Sequence, residues 1–561
     1  MTKRPRHDSA RNAAIYFAAD GYDPAAKGIN GRRVAGESFI RGFFRHAEVD
    51  EFVSLATTSA DQPLFDRLAS EERAGMPVRH LLARQPQQIA SLGTLFYPSP
   101  NFAAETWRRA PTGQAAWSIC GITHTISTKG VMQGFYDLRA SAQAEWDAVI
   151  CTSRAVLASV LHQFELIDSF HERRFHGARP PRPQLPVIPL GVHCDAFAPD
   201  PAAGAALRER LGLGPKDVLF TTIARLTPHE KFDPLPLYIA MQAAQRRMPR
   251  GARLAVAFCG IFRDDYSRKI FEQGAAKLMP DVGFHLLDGE SAADRKAALS
   301  GADVFVFAID NIQETFGLAP IEAMAAGVPV LVSDWDGLRD TVTADVGLRV
   351  ATRTLGAAHA EQESFRHLTG VDTYLQYCGQ ASAMTEIDMV ALTGAIQMLA
   401  LNPDLRARMG AAGARRARAV YDWSQVIPQM QDLWQELSVR RKAALSAEPA
   451  MARAAIPVGP SPFAMFATYP TRRGGLEGER FIPGALAPTL TLAETLALRD
   501  YTSTGRQVEA TTTLAAVHDA ILAAGAAGID RAGLEARTGM NPISTDRALI
   551  WLLKYGFARR A

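Results

Sequence analysis

The chain has 561 residues, a formal net charge of +3, 47% hydrophobic and 21% charged residues, which is too long for one core and too evenly charged for nucleic-acid binding to follow from global charge. Two or three soluble domains are expected. The five cysteines, Cys120, Cys151, Cys194, Cys259 and Cys378, are odd in number and lack CxxC spacing, so neither a disulfide framework nor a zinc site is indicated, and no apolar run reaches the roughly eighteen residues of a membrane span.

The basic N-terminus MTKRPRHDSARN is not followed by an apolar leader, so a cytoplasmic location is expected, with the inner face of a membrane left open. Residues 13–19, AAIYFAA, read as a strand, and the glycine-rich GINGRRVAGES of residues 28–38 leads into a helix. Strand, glycine loop and helix form a ligand-binding arrangement. Gly31 is the candidate contact there, although Gly28, Gly31 and Gly36 do not match GxGxxG and a tight turn explains them equally well. The following ESFIRGFFRHAEVDEF is amphipathic, with Phe39, Ile40, Phe43 and Phe44 on one face. That face suits packing on a sheet or docking on an anionic membrane.

Further strands are expected in EFVSLATT, SLGTLFYP, AWSICGITHT, DAVICTS and LPVIPLGV. Apolar strands alternating with longer polar stretches indicate a parallel sheet covered on both faces, whose ligands gather at the strands' carboxyl ends. His124 falls at such an end. Ser153 also ends a strand and is read as structural. His162, His171 and His176 have no metal-ligand spacing and read as a solvated basic loop. PPRPQLP, residues 180–186, reads as an extended connector.

A second domain is expected from about residue 196. Its first strand, DVLFTTIAR, ends at Arg225, with Lys231 close behind, and these two cations suit a diphosphate. RLAVAFCGI and VGFHLLDGE are strands ending in glycine turns. Residues 301–342 then read as strand, loop, helix, turn and strand, with Pro320 in the first helical turn and Gly327 as the stop. The amides of Phe316, Gly317 and Leu318 should point off the helix N-terminus, flanked by Glu314 before the helix and Glu322 inside it. Carboxylates beside an anion seat suit a ligand that carries hydroxyl groups too, as a nucleotide sugar does.

Glu314 and Glu322, within TFGLAPIEAMAAGVPVLVSD, resemble the Glu-x7-Glu signature of retaining GT-B glycosyltransferases of family 4, and the likeness extends from Ala13 to about Leu445. It implies an α/β fold of two doubly wound Rossmann-like domains facing across a cleft. Residues 1–195 would form the acceptor domain, completed by a crossing helix at 425–445, and residues 196–424 the nucleotide-sugar domain. The implied reaction moves a sugar, with retention, from a UDP- or GDP-sugar to a carbohydrate or lipid-linked acceptor in polysaccharide or envelope synthesis, without metal or other cofactor. The resemblance gives Glu314 and the amides of Phe316, Gly317 and Leu318 to the donor sugar, Glu322 to the ribose, Arg225 and Lys231 to the diphosphate, and His124 to the sugar from the opposite lobe. One departure is the extra residue between Arg225 and Lys231 in ARLTPHEKFD, which puts Lys231 in doubt.

The tail departs from that pattern. Residues 446–510, rich in Ala, Pro, Gly and Thr, read as a linker, and residues 511–561 as three helices resembling a winged helix. With six Lys or Arg against four Asp or Glu from Thr511 onward, nucleic acid is not the expected partner, and a protein partner or intramolecular docking is. The alternative from another class is a catalytically inactive glycosyltransferase-like module acting through this tail.

Overall fold

The computed structural model describes residues 8–23, 31–56, 58–83, 85–445, 456–485, 489–499 and 509–561. The chain divides into two units, Met1–Gly459 and Pro460–Ala561.

The first unit holds two parallel sheets. In the first lobe, β1 (Ala14–Phe17), β2 (Phe52–Ala56), β3 (Val78–Leu82), β4 (Thr94–Tyr97), β5 (Ser118–Ile122) and β6 (Ala148–Ile150) lie in the order β3-β2-β1-β4-β5-β6. In the second, β7 (Val218–Leu226), β8 (Leu254–Phe262), β9 (Gly283–Asp288), β10 (Val304–Phe307), β11 (Val330–Ser333) and β12 (Gly347–Val350) lie in the order β12-β11-β10-β7-β8-β9. Counted from its own first strand, each lobe has the same doubly wound order. This is the two-lobed GT-B arrangement. In such sheets the order reverses between the first and fourth strands, and the crevice at that point receives ligands. For the second lobe that point lies between β7 and β10.

Two edge strands, β3 and β12, escaped the sequence reading, because each buries only part of its side chains and shows no continuous apolar run. Conversely, LPVIPLGV is not a sheet strand. Its prolines remove ladder donors, and the segment meets β6 only through isolated bridges at Gln184 and Val187. The histidine-rich stretch is not a loop either, since His162 and His171 lie in a helix, Arg154–Phe175.

The amphipathic helix α1 (Gly31–His46) buries Phe39, Ile40, Phe43 and Phe44. A later helix, α6 (Trp423–Ala444), supplies Trp423, Met430, Trp434 and Leu437 to the same core. Phe43 and Trp434 meet edge to face at 5.9 Å. The apolar face of α1 is therefore not a membrane-docking surface, and Arg41 and Arg45 are held by Glu37, Glu71 and Glu72. Gln431 ties α6 to the backbone of Arg11 and Glu48. Beneath the sheet, the fully buried Arg109 and Asp147 form a two-point ion pair at 2.6 and 2.8 Å, and Asp147 also accepts the amides of Ile119 and Ala144.

Four more helices position the site: α2 (Arg154–Phe175), α3 (Leu318–Ala325), α4 (Glu361–Thr369) and α5 (Tyr374–Ala383). The last two form an excursion from the second lobe, bracketed by the short strands β13 (Thr352–Arg353) and β14 (Glu386–Ile387). Among the described residues no helix is long and apolar enough to cross a membrane.

In the second unit, α7 (Thr511–Ala524), α8 (Arg531–Thr538) and α9 (Pro542–Lys554) pack with a three-stranded antiparallel sheet. Its central strand, β15 (Arg480–Pro483), pairs with β16 (Ile529–Asp530) and β17 (Ala558–Arg560). Residues 446–510 are thus not linker throughout. Phe481 and Ile482 are buried, and without their strand β16 and β17 would have no partner between them. Residues 446–455, 486–488 and 500–508 of that stretch lie outside the described residues.

Candidate active site at the switch point of the second lobe

Strand β7 is apolar and buried up to Thr222 and delivers Arg225 near its carboxyl end. A tight turn follows, closed by the Lys231 amide on the Thr227 carbonyl at 3.2 Å. The extra residue between Arg225 and Lys231 is absorbed in this turn, and the Lys231 ammonium reaches the Glu314 carboxylate directly. Lys231 also lies over the Phe307 ring at 5.2 Å. Arg225 takes another direction, donating to Gln313 Oε1 at 2.5 Å and facing Glu230 at 3.6 Å.

Asn311 organises the loop after β10. It is fully buried, donates to the His229 carbonyl at 2.7 Å and accepts the Gln313 amide at 3.0 Å, while its own carbonyl accepts the Trp335 indole N–H at 3.1 Å. Through its side-chain amide and its backbone carbonyl, this one residue therefore joins the loops after β7, β10 and β11. No sequence pattern flagged it.

Gly317 sits before α3 at φ +82°, and a Cβ there would fall 2.5 Å from Leu338 Cδ2. Only glycine accepts both the left-handed backbone and that approach. The turn lets Glu314 curl back on itself. Its Oε1 accepts the amides of Thr315, Phe316 and Gly317 at 3.3, 3.4 and 3.0 Å, while Oε2 meets Lys231. The amides of Phe316 and Gly317, expected to await a ligand, are thus taken by the protein's own carboxylate. Electrostatics explains the difference, since the nearest anion to a helix N-terminus occupies it. Burial pushes the Glu314 carboxyl up, but Lys231 and the amides outweigh it and hold it below the ordinary value.

Leu318 opens α3, and Glu322 follows one turn later with its carboxyl pushed up to about 7 by burial, against the opposing pull of Arg295. A cavity of about 380 Å³ opens beside Arg225, between the ends of β7 and β8 and the turn after β9. Arg225, Arg263 and Arg295 line it with Glu230 and Glu290. Its floor needs glycine: a Cβ at Gly260 would stand 2.0 Å from the Ala224 oxygen, and one at Gly289 2.6 Å from Gly260 Cα. Glu230 holds Arg263 as well as Arg225. The sequence reading noted the glycine turns but missed Arg263 and Arg295, which lie one residue past β8 and within a surface helix.

The first lobe touches this site through Ser153. Its hydroxyl caps α2 by accepting the Val156 amide and donates to the Thr315 carbonyl at 3.2 Å, so its structural role extends across the cleft. Next to it, Arg154 pairs with Asp340 at 2.8 Å. The α4–α5 excursion makes a second bridge, with Tyr374 Oη 2.8 Å from Ser127 Oγ and Lys129 donating to the Leu368 carbonyl at 2.7 Å.

Arg225, Lys231, Glu314, Phe316, Gly317 and Leu318 come together, with Glu322 one turn along α3 and within the pull of the cavity's Arg295; His124 and Gly31 stand apart. His124, half-buried just past β5, lines a small apolar cavity of the first lobe with Tyr22, Gly36, Phe39 and Trp423. Gly31 is the first residue of α1 rather than part of an open loop, and Gly28 lies outside the described residues.

Residues 205–367, which include most of the second lobe, match the family model of glycosyl transferases group 1. The chain is 31% identical over 181 residues to a GDP-mannose-dependent alpha-(1-6)-phosphatidylinositol monomannoside mannosyltransferase of Mycobacterium tuberculosis, a stretch covering 31% of this chain and 45% of that protein. The match thus spans just under half the length of that relative. A D-inositol 3-phosphate glycosyltransferase of Xylanimonas cellulosilytica is 27% identical over 435 residues, 71% of this chain and 89% of that one. Among solved structures, Anabaena Alr3699/HepE in complex with UDP aligns with a TM-score of 0.48 at 14% identity, covering 76% of this chain and all of that one.

Proposed function

We propose that the protein is a retaining glycosyltransferase of the family 4 kind, transferring a sugar from a nucleotide-sugar donor to a carbohydrate or lipid-linked acceptor. One observation carries this reading: at the switch point of the second lobe, Lys231 and Arg225 flank the Glu314 loop beside a cavity lined by three arginines. The departing nucleoside diphosphate develops negative charge as the glycosidic bond breaks, and cations fixed beforehand stabilise it without reorganising. The two side chains supply this charge in place of a metal.

A bound diphosphate draws the Lys231 ammonium from Glu314 and frees that carboxylate to orient the sugar through a hydroxyl group. The nucleoside fills the cavity, with Glu322 on the ribose. His124 approaches from the first lobe, with Ser153 and Tyr374 holding the lobes together at the site. The names of both relatives contain an inositol acceptor and one contains GDP-mannose, which supports GDP-mannose as first donor and a polyol or its lipid conjugate as first acceptor, in envelope glycan synthesis.

The test is calorimetric titration of GDP, UDP, ADP and their sugar conjugates into wild type, Arg225→Ala and Glu322→Ala. Selective binding of one nucleotide, weakened by both substitutions, is the expected result. Absence of binding across the panel would remove the donor site. With the donor known, the anomeric configuration of the product by NMR decides retention, and an inverted product overturns it.

A further inference from the structure

Asp336 follows β11 and lies outside every role assigned above. Its backbone is left-handed at φ +45°, a conformation that, among non-glycine described residues, only it and His176 adopt. His176 ends an exposed surface helix, where the conformation is an ordinary C-cap. Asp336 lies instead in the turn that leads into the short helix Leu338–Thr341. It is held in place by Gly337, whose backbone packs against Phe316 and Thr315, and by the Trp335 indole, which is bonded to Asn311. Strain maintained by surrounding packing is characteristic of ligand-contacting loops.

The side chain is equally unusual. Asp336 Oδ2 is inaccessible to solvent and has no hydrogen-bond partner. The carboxyl as a whole is pushed up by burial and by the carboxylates of Glu314 and of Asp340 on its own loop, and held down by hydrogen bonding from the Gly337 amide and the Ser153 hydroxyl of the first lobe. The hydroxyl hydrogen of Ser153 is committed to the Thr315 carbonyl, and Asp340 is paired with Arg154. Among the described residues Asp336 makes no ion pair. An orphaned carboxyl oxygen beside a second carboxylate is costly unless something absent from the free protein completes it.

We propose that Asp336 is a further donor-binding residue, which hydrogen-bonds a ring hydroxyl of the sugar moiety of the nucleotide-sugar alongside Glu314. This rests on the donor site proposed above. Chemistry favours a hydroxyl over an anion, which Glu314 and Asp340 would repel, and over a cation, which Lys231 would repel. A hydroxyl both donates and accepts, so it can serve two neighbouring carboxyls at once. Burial raises the Asp336 carboxyl to about 8, so at neutral pH the group carries a proton it can donate. The nucleotide is not involved, because the cavity for it is lined by residues of β7, β8 and the turn after β9.

The experiment separates sugar from nucleotide. Wild type, Asp336→Gly and Asp336→Asn are titrated with GDP and GDP-mannose, and with UDP and UDP-glucose. Glycine adopts the left-handed backbone freely, so Asp336→Gly keeps the fold, as thermal melting checks. The expected result is unchanged affinity for the nucleotide and about tenfold weaker binding of the nucleotide-sugar, the worth of one hydrogen bond to a buried acid, with a smaller loss in Asp336→Asn. Equal affinity of Asp336→Gly and wild type for the nucleotide-sugar overturns the assignment, as does an equal loss for nucleotide and nucleotide-sugar. If wild type binds no nucleotide at all, the donor site falls first and the assignment falls with it.

Discussion

Gly337 and Phe316 meet backbone to backbone: a Cβ at Gly337 would stand 2.6 Å from Phe316 Cα and 2.8 Å from the Thr315 oxygen. The loop after β11 therefore serves as the template on which the Glu314 loop lies. Gly337 itself has φ −63°, so alanine there costs space and not backbone strain. Gly337→Ala is expected to displace residues 314–317, destabilise the protein by about 1–3 kcal/mol through overpacking, and weaken nucleotide-sugar binding. Urea denaturation and calorimetry measure the two effects, and unchanged sugar binding would detach Gly337 from the site.

Lys231→Met leaves Glu314 with its three amide partners and no cation. Breaking a largely buried pair is worth about 3 kcal/mol at the low end, which the remaining amides favour here. The pH dependence supplies the sharper signature. The Glu314 carboxyl lies below its ordinary value of 4.5 in the folded protein, so its contribution is complete above that value and is lost as pH falls through the lower folded one. In Lys231→Met the folded value rises and this acid-side loss shrinks. Denaturation midpoints between pH 3 and 6 follow it.

Asp336 has the opposite sign. Its carboxyl is raised from 3.8 to about 8 by burial, so the folded state binds the extra proton between those values and stability falls as pH rises through that window. Asp336→Asn cannot ionise and tolerates a left-handed backbone. The variant should gain on wild type steadily from pH 5 to pH 8 in chemical denaturation, and parallel profiles would contradict the raised value.

Glu322, raised to about 7 by burial against Arg295, is proposed to hold the ribose, and that role would link donor binding to pH. A ribose hydroxyl donates to the ionised form, so nucleoside binding should release a proton and strengthen as pH rises through about 7. Guanosine and uridine, which lack phosphates titrating in this range, isolate the effect. Glu322→Gln should flatten the profile, and calorimetry in two buffers of different ionisation enthalpy counts the protons.

Arg109 lies far from this chemistry. Arg109→Met strands the buried Asp147 with only the Ile119 and Ala144 amides and should cost about 3–5 kcal/mol. Replacing both residues, as Arg109→Met with Asp147→Leu, should recover much of the loss in denaturation experiments. No recovery would mean that the pair is needed for more than mutual neutralisation.

Much of the second lobe was legible beforehand. The run Val304–Phe307, Pro320 in the first helical turn and Gly327 after the helix place strand, helix and stop from local chemistry alone, and the structure has α3 at Leu318–Ala325. The edge strands β3 and β12 were not legible, because half-exposed strands lack the apolar pattern that reveals buried ones. Nor was the strand β15, whose Phe481 and Ile482 sit in a Pro- and Gly-rich stretch and acquire their role only by pairing with partners 48 to 79 residues away.

The sequence by itself determined two α/β lobes and the loop that carries Glu314, because periodicity, proline and glycine act over a few residues and can be read locally. Only the tertiary structure decided how the charges are shared. Glu314 meets Lys231 across 83 residues, Arg225 turns to Gln313 and Glu230, and Asn311 binds three loops together. Such contacts depend on the strand order that brings β7 beside β10, and on which anion lies nearest the start of α3. Neither is written in the spacing of residues along the chain.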